Sequence, residues 1–185
     1  MCIKSPYMKT LIVYYSYTRN NELLAYELQK RLGCDILKIE ESKARTGLTI
    51  ALDLLFNRNP KLKDHNQSLK DYSNFIFIAP VWASKIASPL RSFLSKEKKY
   101  IRSYSFISLC GGIKGQVERL EKEIERIVGV KANQIKELWI NDLLSEDKRD
   151  TIKYTSGYRV KPEDVKKFGF KIEEFLHDQL VQERQ

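Results

Sequence analysis

At 185 residues the chain has the length of one globular domain, and its apolar share of 42% and charged share of 31% suit a folded protein. No run of about 18 apolar residues occurs, so the sequence predicts no membrane-spanning helix. The net charge of +9 could attract a phosphorylated cofactor, an acidic protein, anionic lipid or nucleic acid. No RNP, KH or zinc-finger pattern accompanies the charge, so a nucleic-acid partner is not expected.

The amino-terminal segment predicts an extension outside the fold. Residues 1–8 lack the apolar stretch of a signal peptide, and a strand-like run follows Met8 directly. Residues 9–185 are therefore predicted to form a single domain. The three cysteines are Cys2, Cys34 and Cys110. Because they are odd in number and contain no CxxC pair, they predict a reducing, cytoplasmic location.

Five short strand-like runs alternate along the chain with segments of helical periodicity. The predicted strands are 10–16, 35–40, 74–80, 103–110 and 134–140. The predicted helices are a segment carrying Leu24, Leu28 and Leu32, then 86–96, 114–128 and 162–180, with 48–56 as a further candidate and 57–70 as a polar loop. Strands joined by helical crossovers form a parallel sheet covered on both faces. The prediction is a doubly wound, three-layer α/β/α fold with strand order 2-1-3-4-5.

Ligands of such sheets bind outside the carboxyl ends of the strands, where the strand order reverses. The loop after the first strand offers hydroxyl and amide groups just before a helix, whose first N–H groups have no partner within the helix. The residues of this loop are Ser16, Tyr17, Thr18, Arg19, Asn20 and Asn21. They suit either a phosphate group or simple capping of the helix.

Two further strand ends carry residues suited to a planar ligand. The loop after the third strand contains Pro80, Val81, Trp82 and Ala83. Its indole could stack on a flat ring or cover the edge of the sheet. The loop after the fourth strand contains Cys110, Gly111 and Gly112. Paired glycines allow close approach of the backbone to a ligand, although an ordinary turn also uses them.

The predicted strand order makes the first, third and fourth strands neighbours, so the three loops should meet in one crevice. One loop suits a phosphate, one a planar ring and one the polar edge of a ring. Flavin mononucleotide (FMN) has these three parts.

At these loops the chain resembles the flavodoxin family, from about Lys9 to Gly129. The segments that carry the resemblance are 9–18, 74–94, 110–112 and the triplet Arg45, Thr46 and Gly47. The resemblance implies FMN bound by the three loops. The family's phosphate loop has glycine and Thr or Ser where this chain has Arg19 and Asn21, and typical flavodoxins are acidic. Arg19 could contact phosphate, or distort the cradle if its position demands a glycine-only conformation.

These features predict an FMN protein in electron transfer, either a carrier or a small NAD(P)H-dependent flavin/quinone-type oxidoreductase. Its partner would be a redox protein or NAD(P)H, and flavodoxin-like reductases suggest a homodimer by analogy. No side chain is assigned a catalytic role and no metal site is predicted. Glu121, Glu123 and Glu125 are interpreted as solvated surface. The alternative is a flavin-less module that uses its basic surface to bind an acidic protein or nucleic acid.

Overall fold

The computed structural model describes residues 9–182, and the predicted extension 1–8 lies outside the described residues. The strands are β1 (Thr10–Tyr14), β2 (Asp35–Lys38), β3 (Asn74–Ile78), β4 (Val81–Trp82), β5 (Lys85–Ile86), β6 (Tyr104–Cys110) and β7 (Gln134–Trp139). The helices are α1 (Asn20–Leu32), α2 (Gly47–Phe56), α3 (Ser88–Glu97), α4 (Gln116–Val128), α5 (Ile152–Gly157), α6 (Pro162–Lys167) and α7 (Gly169–Gln182).

The main sheet is parallel and has the order β2-β1-β3-β6-β7, which confirms the predicted order of the five long strands. Every residue of β1, β3 and β6 is buried. Near-continuous apolar runs form these strands because helices cover both faces of a parallel sheet. The carboxyl ends of the three central strands therefore lie side by side.

Two apolar cores flank the sheet and confirm the three-layer arrangement. On one face, Leu11 and Val13 pack with Phe93 of α3 and Ile124 of α4. Residues of opposite parity in β1 face the second core, formed with α1, α6 and α7; its members include Ile12, Tyr14, Leu24, Leu28, Val165, Ile172 and Phe175. This alternation follows from the two-residue period of a strand.

The structure corrects five details of the predicted elements. Several strands end one or two residues earlier than predicted, and β4 and β5 form an antiparallel hairpin where a loop was expected. The helix predicted over 86–96 begins at Ser88 because Ile86 belongs to the hairpin. The predicted helix 162–180 is divided at Phe168, just before Gly169, a residue type of low helix propensity. The helix α5 was not predicted.

Candidate functional site

The three predicted loops meet at the carboxyl ends of β1, β3 and β6. The Asn21 side chain joins the first loop to the last strand of the three, because its Nδ2 donates to the Leu109 carbonyl at 3.0 Å and its Oδ1 accepts from the Leu109 N–H at 2.9 Å. The rings of Tyr17 and Trp82 connect the first loop to the hairpin, with centroids 6.3 Å apart and planes nearly perpendicular. One crevice thus collects the residues that the sequence places in three separate segments.

Ser16 presents an unused hydroxyl at the end of β1. Its Oγ is buried and makes no hydrogen bond in the described part of the chain. Buried polar groups in proteins are nearly always satisfied, so an unpartnered one that lies beside a ligand crevice is a candidate for contact with the ligand. The N–H groups of the first turn of α1, which begins four residues later at Asn20, also have no partner within the helix. An anion at this point would satisfy both.

Arg19 adopts the backbone conformation that the glycine of a phosphate loop would provide. It is the N-cap residue of α1 and has φ 67° and ψ −4°, in the left-handed region. The loop therefore has the backbone path that glycine would allow, but the Arg19 backbone is strained. The side chain is exposed and its Nε donates to Glu22 Oε2 at 3.0 Å. The guanidinium therefore neutralises a neighbouring carboxylate.

Glu22 is a buried carboxylate in the first turn of α1. Burial by itself would raise its pKa, but hydrogen bonds from Lys38 and Arg19 outweigh burial, and the pKa is lowered below its ordinary value. Tyr14 also donates its hydroxyl to this group. Two cations thus compensate the negative charge beside the predicted phosphate position.

The amide side chains of Asn20 and Asn21 hydrogen-bond backbone groups of distant segments and so stabilise the fold. Asn20 donates to the Tyr158 carbonyl and accepts from the Val160 N–H, both at 3.0 Å. Asn21 is bonded to Leu109 as described above. Their backbone N–H groups, together with the Ser16 and Thr18 hydroxyls, are what this loop can offer to a phosphate.

Trp82 is half-buried at the mouth of the crevice, on the hairpin. Its indole meets Tyr15 edge-to-face at 6.1 Å between centroids, in addition to Tyr17. The Arg45 guanidinium lies 5.5 Å from the indole centre, and Glu41 and Asp53 hold that guanidinium in turn. These contacts fix the orientation of the indole, which is a requirement for stacking on a planar ligand.

The hairpin that carries Trp82 is anchored to α4. The N–H of Ile86 donates to Glu123 Oε2 at 2.8 Å, and the Glu123 side chain is only 13% exposed. The interpretation of Glu123 as solvated surface is therefore wrong. Burial raises the pKa of this carboxyl above its ordinary value. Helical spacing alone placed it among exposed charges, whereas the unpredicted hairpin covers it.

The third loop is shaped by residues beneath it. Gly112 has φ 89°, and a Cβ there would lie 2.5 Å from Cγ of Trp139. A Cβ on Gly111 would contact Thr155 of α5 at 3.4 Å. Cys110 is buried, and burial together with the nearby Glu137 carboxylate raises the pKa of its thiol. The thiol is therefore protonated at neutral pH; it donates to Glu137 Oε1 at 3.7 Å and accepts from Gln116 Nε2 at 3.8 Å.

Sequence reasoning missed four residues that border the crevice. They are Glu137, Trp139, Thr155 and Tyr158. Trp139 ends β7 and lies one residue before the end of the predicted strand 134–140, so a Trp near the end of that strand was an available signal. Thr155 and Tyr158 carry no local signal, because their role depends on the segment 151–160 folding back over the first and third loops. Glu137 carries none either, because its role depends on contacts with Cys110 and Gln116.

The sequence matches no protein-family model and no curated protein. Among solved structures, the flavoprotein of Lactobacillus acidophilus in complex with FMN is similar, with a TM-score of 0.62 and 16% identity over 70% of this chain and 93% of that one. A candidate flavoprotein from Bacteroides uniformis gives a TM-score of 0.62 and 16% identity over 72% of this chain and 91% of its own. The apo-form of the L. acidophilus flavoprotein gives a TM-score of 0.57 and 19% identity over 70% of this chain and 91% of that one.

The fold is flavodoxin-like. The strand order of the main sheet and the superpositions agree on this point. The flavodoxin-like sheet presents the crevice at its topological switch point, where β1 and β3 lead to helices on opposite faces. Within residues 9–182, no helix has both the length and the apolar character needed to cross a bilayer.

Proposed function

We propose that the chain binds FMN in this crevice and takes part in electron transfer, as a carrier or as a small NAD(P)H-dependent oxidoreductase. The observation that carries the proposal is the buried, unpartnered Oγ of Ser16 beside the first turn of α1. The FMN complex of the similar L. acidophilus flavoprotein supports the choice of ligand.

Different residues of the crevice bind different parts of the ligand. The Ser16 and Thr18 hydroxyls and the first-turn N–H groups of α1 hold the phosphate. Trp82 stacks against the ring, and the N–H groups of Gly111 and Gly112 face its polar edge, where they stabilise negative charge. Bound FMN supplies the redox chemistry, and the protein positions the group and sets its electrostatic surroundings.

The charge around the phosphate position favours binding. Arg19 and Lys38 both contact Glu22, so the carboxylate closest in sequence to the loop does not present an uncompensated negative charge. The strained conformation of Arg19 keeps the loop open to a phosphate without using the guanidinium as a ligand.

Replacing the unpartnered hydroxyl tests the site. We expect Ser16→Ala to weaken FMN binding about 10-fold or more, because a hydrogen bond to a charged group contributes about 1.5–3 kcal/mol. Quenching of flavin fluorescence during titration of the purified protein measures the affinity. Ser92→Ala is the matched control, since its hydroxyl on α3 is also buried and unpartnered. This control should bind FMN as tightly as the wild type.

Failure of the wild-type protein to take up FMN at about micromolar concentration would overturn the proposal. That result would support the flavin-less module. With FMN bound, stopped-flow mixing with NADH or NADPH distinguishes the two redox roles: loss of flavin absorbance indicates a reductase, whereas no reaction with either indicates a carrier.

A further inference from the structure

The helix α2 has an inverted distribution of polar and apolar residues. Seven of its ten residues are apolar, yet only Asp53 is buried. Leu48, Leu55 and Phe56 are 70%, 75% and 59% exposed. A surface helix normally turns its apolar stripe toward the core, and a contiguous exposed apolar patch marks an interaction surface.

Specific contacts hold α2 in this orientation. Asp53 Oδ2 accepts from Arg45 Nη1 at 2.9 Å and from the Ser88 hydroxyl at 2.7 Å. The side chains of Thr46 and Thr49 form a capping box that fixes the start of the helix. A rotation of α2 that buried its leucines would turn Asp53 toward solvent and break its hydrogen bonds with Arg45 and Ser88. The exposed face is therefore a stable feature of the fold.

A basic groove begins where α2 ends. It has a volume of about 250 Å³ and its walls include no carboxylate; they consist of Asn57, Asn59, Arg91, Ser95, Lys98, Arg126 and Ile127. Asn57 is the cap of α2, so groove and helix face are continuous. Arg91 is almost fully buried; its Nε donates to Asn59 and its Nη2 to the Arg58 carbonyl. Its Nη1 makes no hydrogen bond and lies 4.0 Å from Glu123 Oε1.

Cations without an ion-pair partner surround the apolar face. Within the described residues, Lys98 and Arg126 make no ion pair, and Arg58 lies over the Phe56 ring at 5.2 Å. The groove thus combines three cationic side chains and two amides, which is a donor set for a phosphate group.

We propose that α2 and the adjoining groove, here called the α2 face, dock onto the surface of a bilayer that contains anionic phospholipid. Leu48, Leu55 and Phe56 enter the boundary between headgroups and acyl chains, while the groove binds a lipid phosphate. This inference does not rest on FMN binding, because the residues of the α2 face differ from those of the crevice loops; α2 supports the crevice only through Asp53, which holds Arg45 beside Trp82.

Charge selects this occupant over a second copy of the chain. A symmetric dimer through α2 would bring two identical basic grooves together, on chains that each carry a net charge of +9. An anionic lipid surface is complementary both to the apolar face and to the cations that surround it.

Sedimentation with vesicles tests the α2 face. We expect the protein to bind vesicles of phosphatidylcholine with about 30% phosphatidylglycerol at least 10-fold more tightly than pure phosphatidylcholine vesicles. Raising the salt from about 50 to 500 mM should weaken this binding. Leu55→Gln and Arg126→Gln should each reduce it several-fold. The matched controls replace an exposed apolar residue and a cation of α5: Ile152→Gln is the control for Leu55→Gln, and Lys153→Gln is the control for Arg126→Gln. Both control variants should bind vesicles as tightly as the wild type.

Three results would overturn the proposal. The first is equal or absent binding to both kinds of vesicle. The second is a dimer in sedimentation equilibrium that Leu55→Gln dissociates, because a second copy would then cover the face. The third is binding of glycerol phosphate in the groove without binding of vesicles. FMN titration of the same samples separates each of these results from failure of the proposed function.

Discussion

Gly112 shows how one residue can be required by its surroundings. Its φ of 89° is accessible to glycine and rarely adopted by other residues. The indole of Trp139 also occupies the space that a side chain would need. Conformation and packing therefore impose the same choice, and the third loop lies close against the end of β7 as a result.

We expect Gly112→Ala to lower the free energy of unfolding by about 2–4 kcal/mol, because it adds both backbone strain and a clash. Urea denaturation followed by circular dichroism measures the change. Gly47→Ala is the control: its φ is not positive and no atom lies within 4 Å of the added Cβ. A loss for Gly112→Ala no larger than for Gly47→Ala would contradict the argument.

At the scale of elements, the hairpin β4–β5 is the part of the crevice under most backbone strain. Ala83 and Ser84 have φ values of 48° and 59°. Two consecutive positive φ angles define a type I′ turn, which normally contains Asn and Gly. The hairpin persists because Glu123 binds the Ile86 N–H and Ala87 donates to the Pro80 carbonyl. Packing from outside the turn thus holds Trp82 in position.

Ser84→Gly should relieve part of this strain and raise the free energy of unfolding by about 0.5–1 kcal/mol. Thermal unfolding at neutral pH measures the gain as a higher Tm. Ala51→Gly, at an exposed helical position of α2, should change stability by about 1 kcal/mol in the opposite direction. If both variants lose stability, the turn is not strained.

At the scale of the whole molecule, buried carboxylates give the stability two opposing responses to pH. The pKa of Glu22 is lowered in the folded protein, so its contribution is complete above the ordinary value of 4.5 and is lost as the pH falls through the folded pKa. The pKa of Glu123 is raised, so its ionised form costs stability above the folded pKa. That cost disappears as the pH falls through the folded pKa.

The two corresponding amides should show opposite pH profiles. Glu22→Gln should be less stable than the wild type at pH 7 by about 1–3 kcal/mol, since charged hydrogen bonds from Lys38 and Arg19 are lost. This difference should shrink as the pH falls below about 4.5. For Glu123→Gln, the wild type should instead gain stability relative to the variant as the pH falls from neutral through the raised folded pKa toward 4.5. Urea denaturation at a series of pH values measures both, and parallel profiles would contradict the assignment.

The sequence by itself determined the order of layers, the strand order and the location of the crevice. The reason is that buried parallel strands must be apolar along their whole length, and helices must repeat near 3.6 residues. The three loops were identifiable because glycines, hydroxyl groups and an isolated Trp stood directly after such strands. FMN as the ligand, the single domain and the cytoplasmic location stay predictions.

Only the tertiary structure decided how individual side chains are used. In the sequence, Asn20 and Asn21 are suited to bind phosphate. In the structure, both side-chain amides hydrogen-bond residues that lie 88 to 140 positions away along the chain. Glu123 looked exposed until the hairpin covered it, and α2 looked like an ordinary helix although Asp53 faces inward. Local periodicity reports what a segment tends to form. Which group each side chain meets depends on contacts between distant segments, and these exist only in the folded chain.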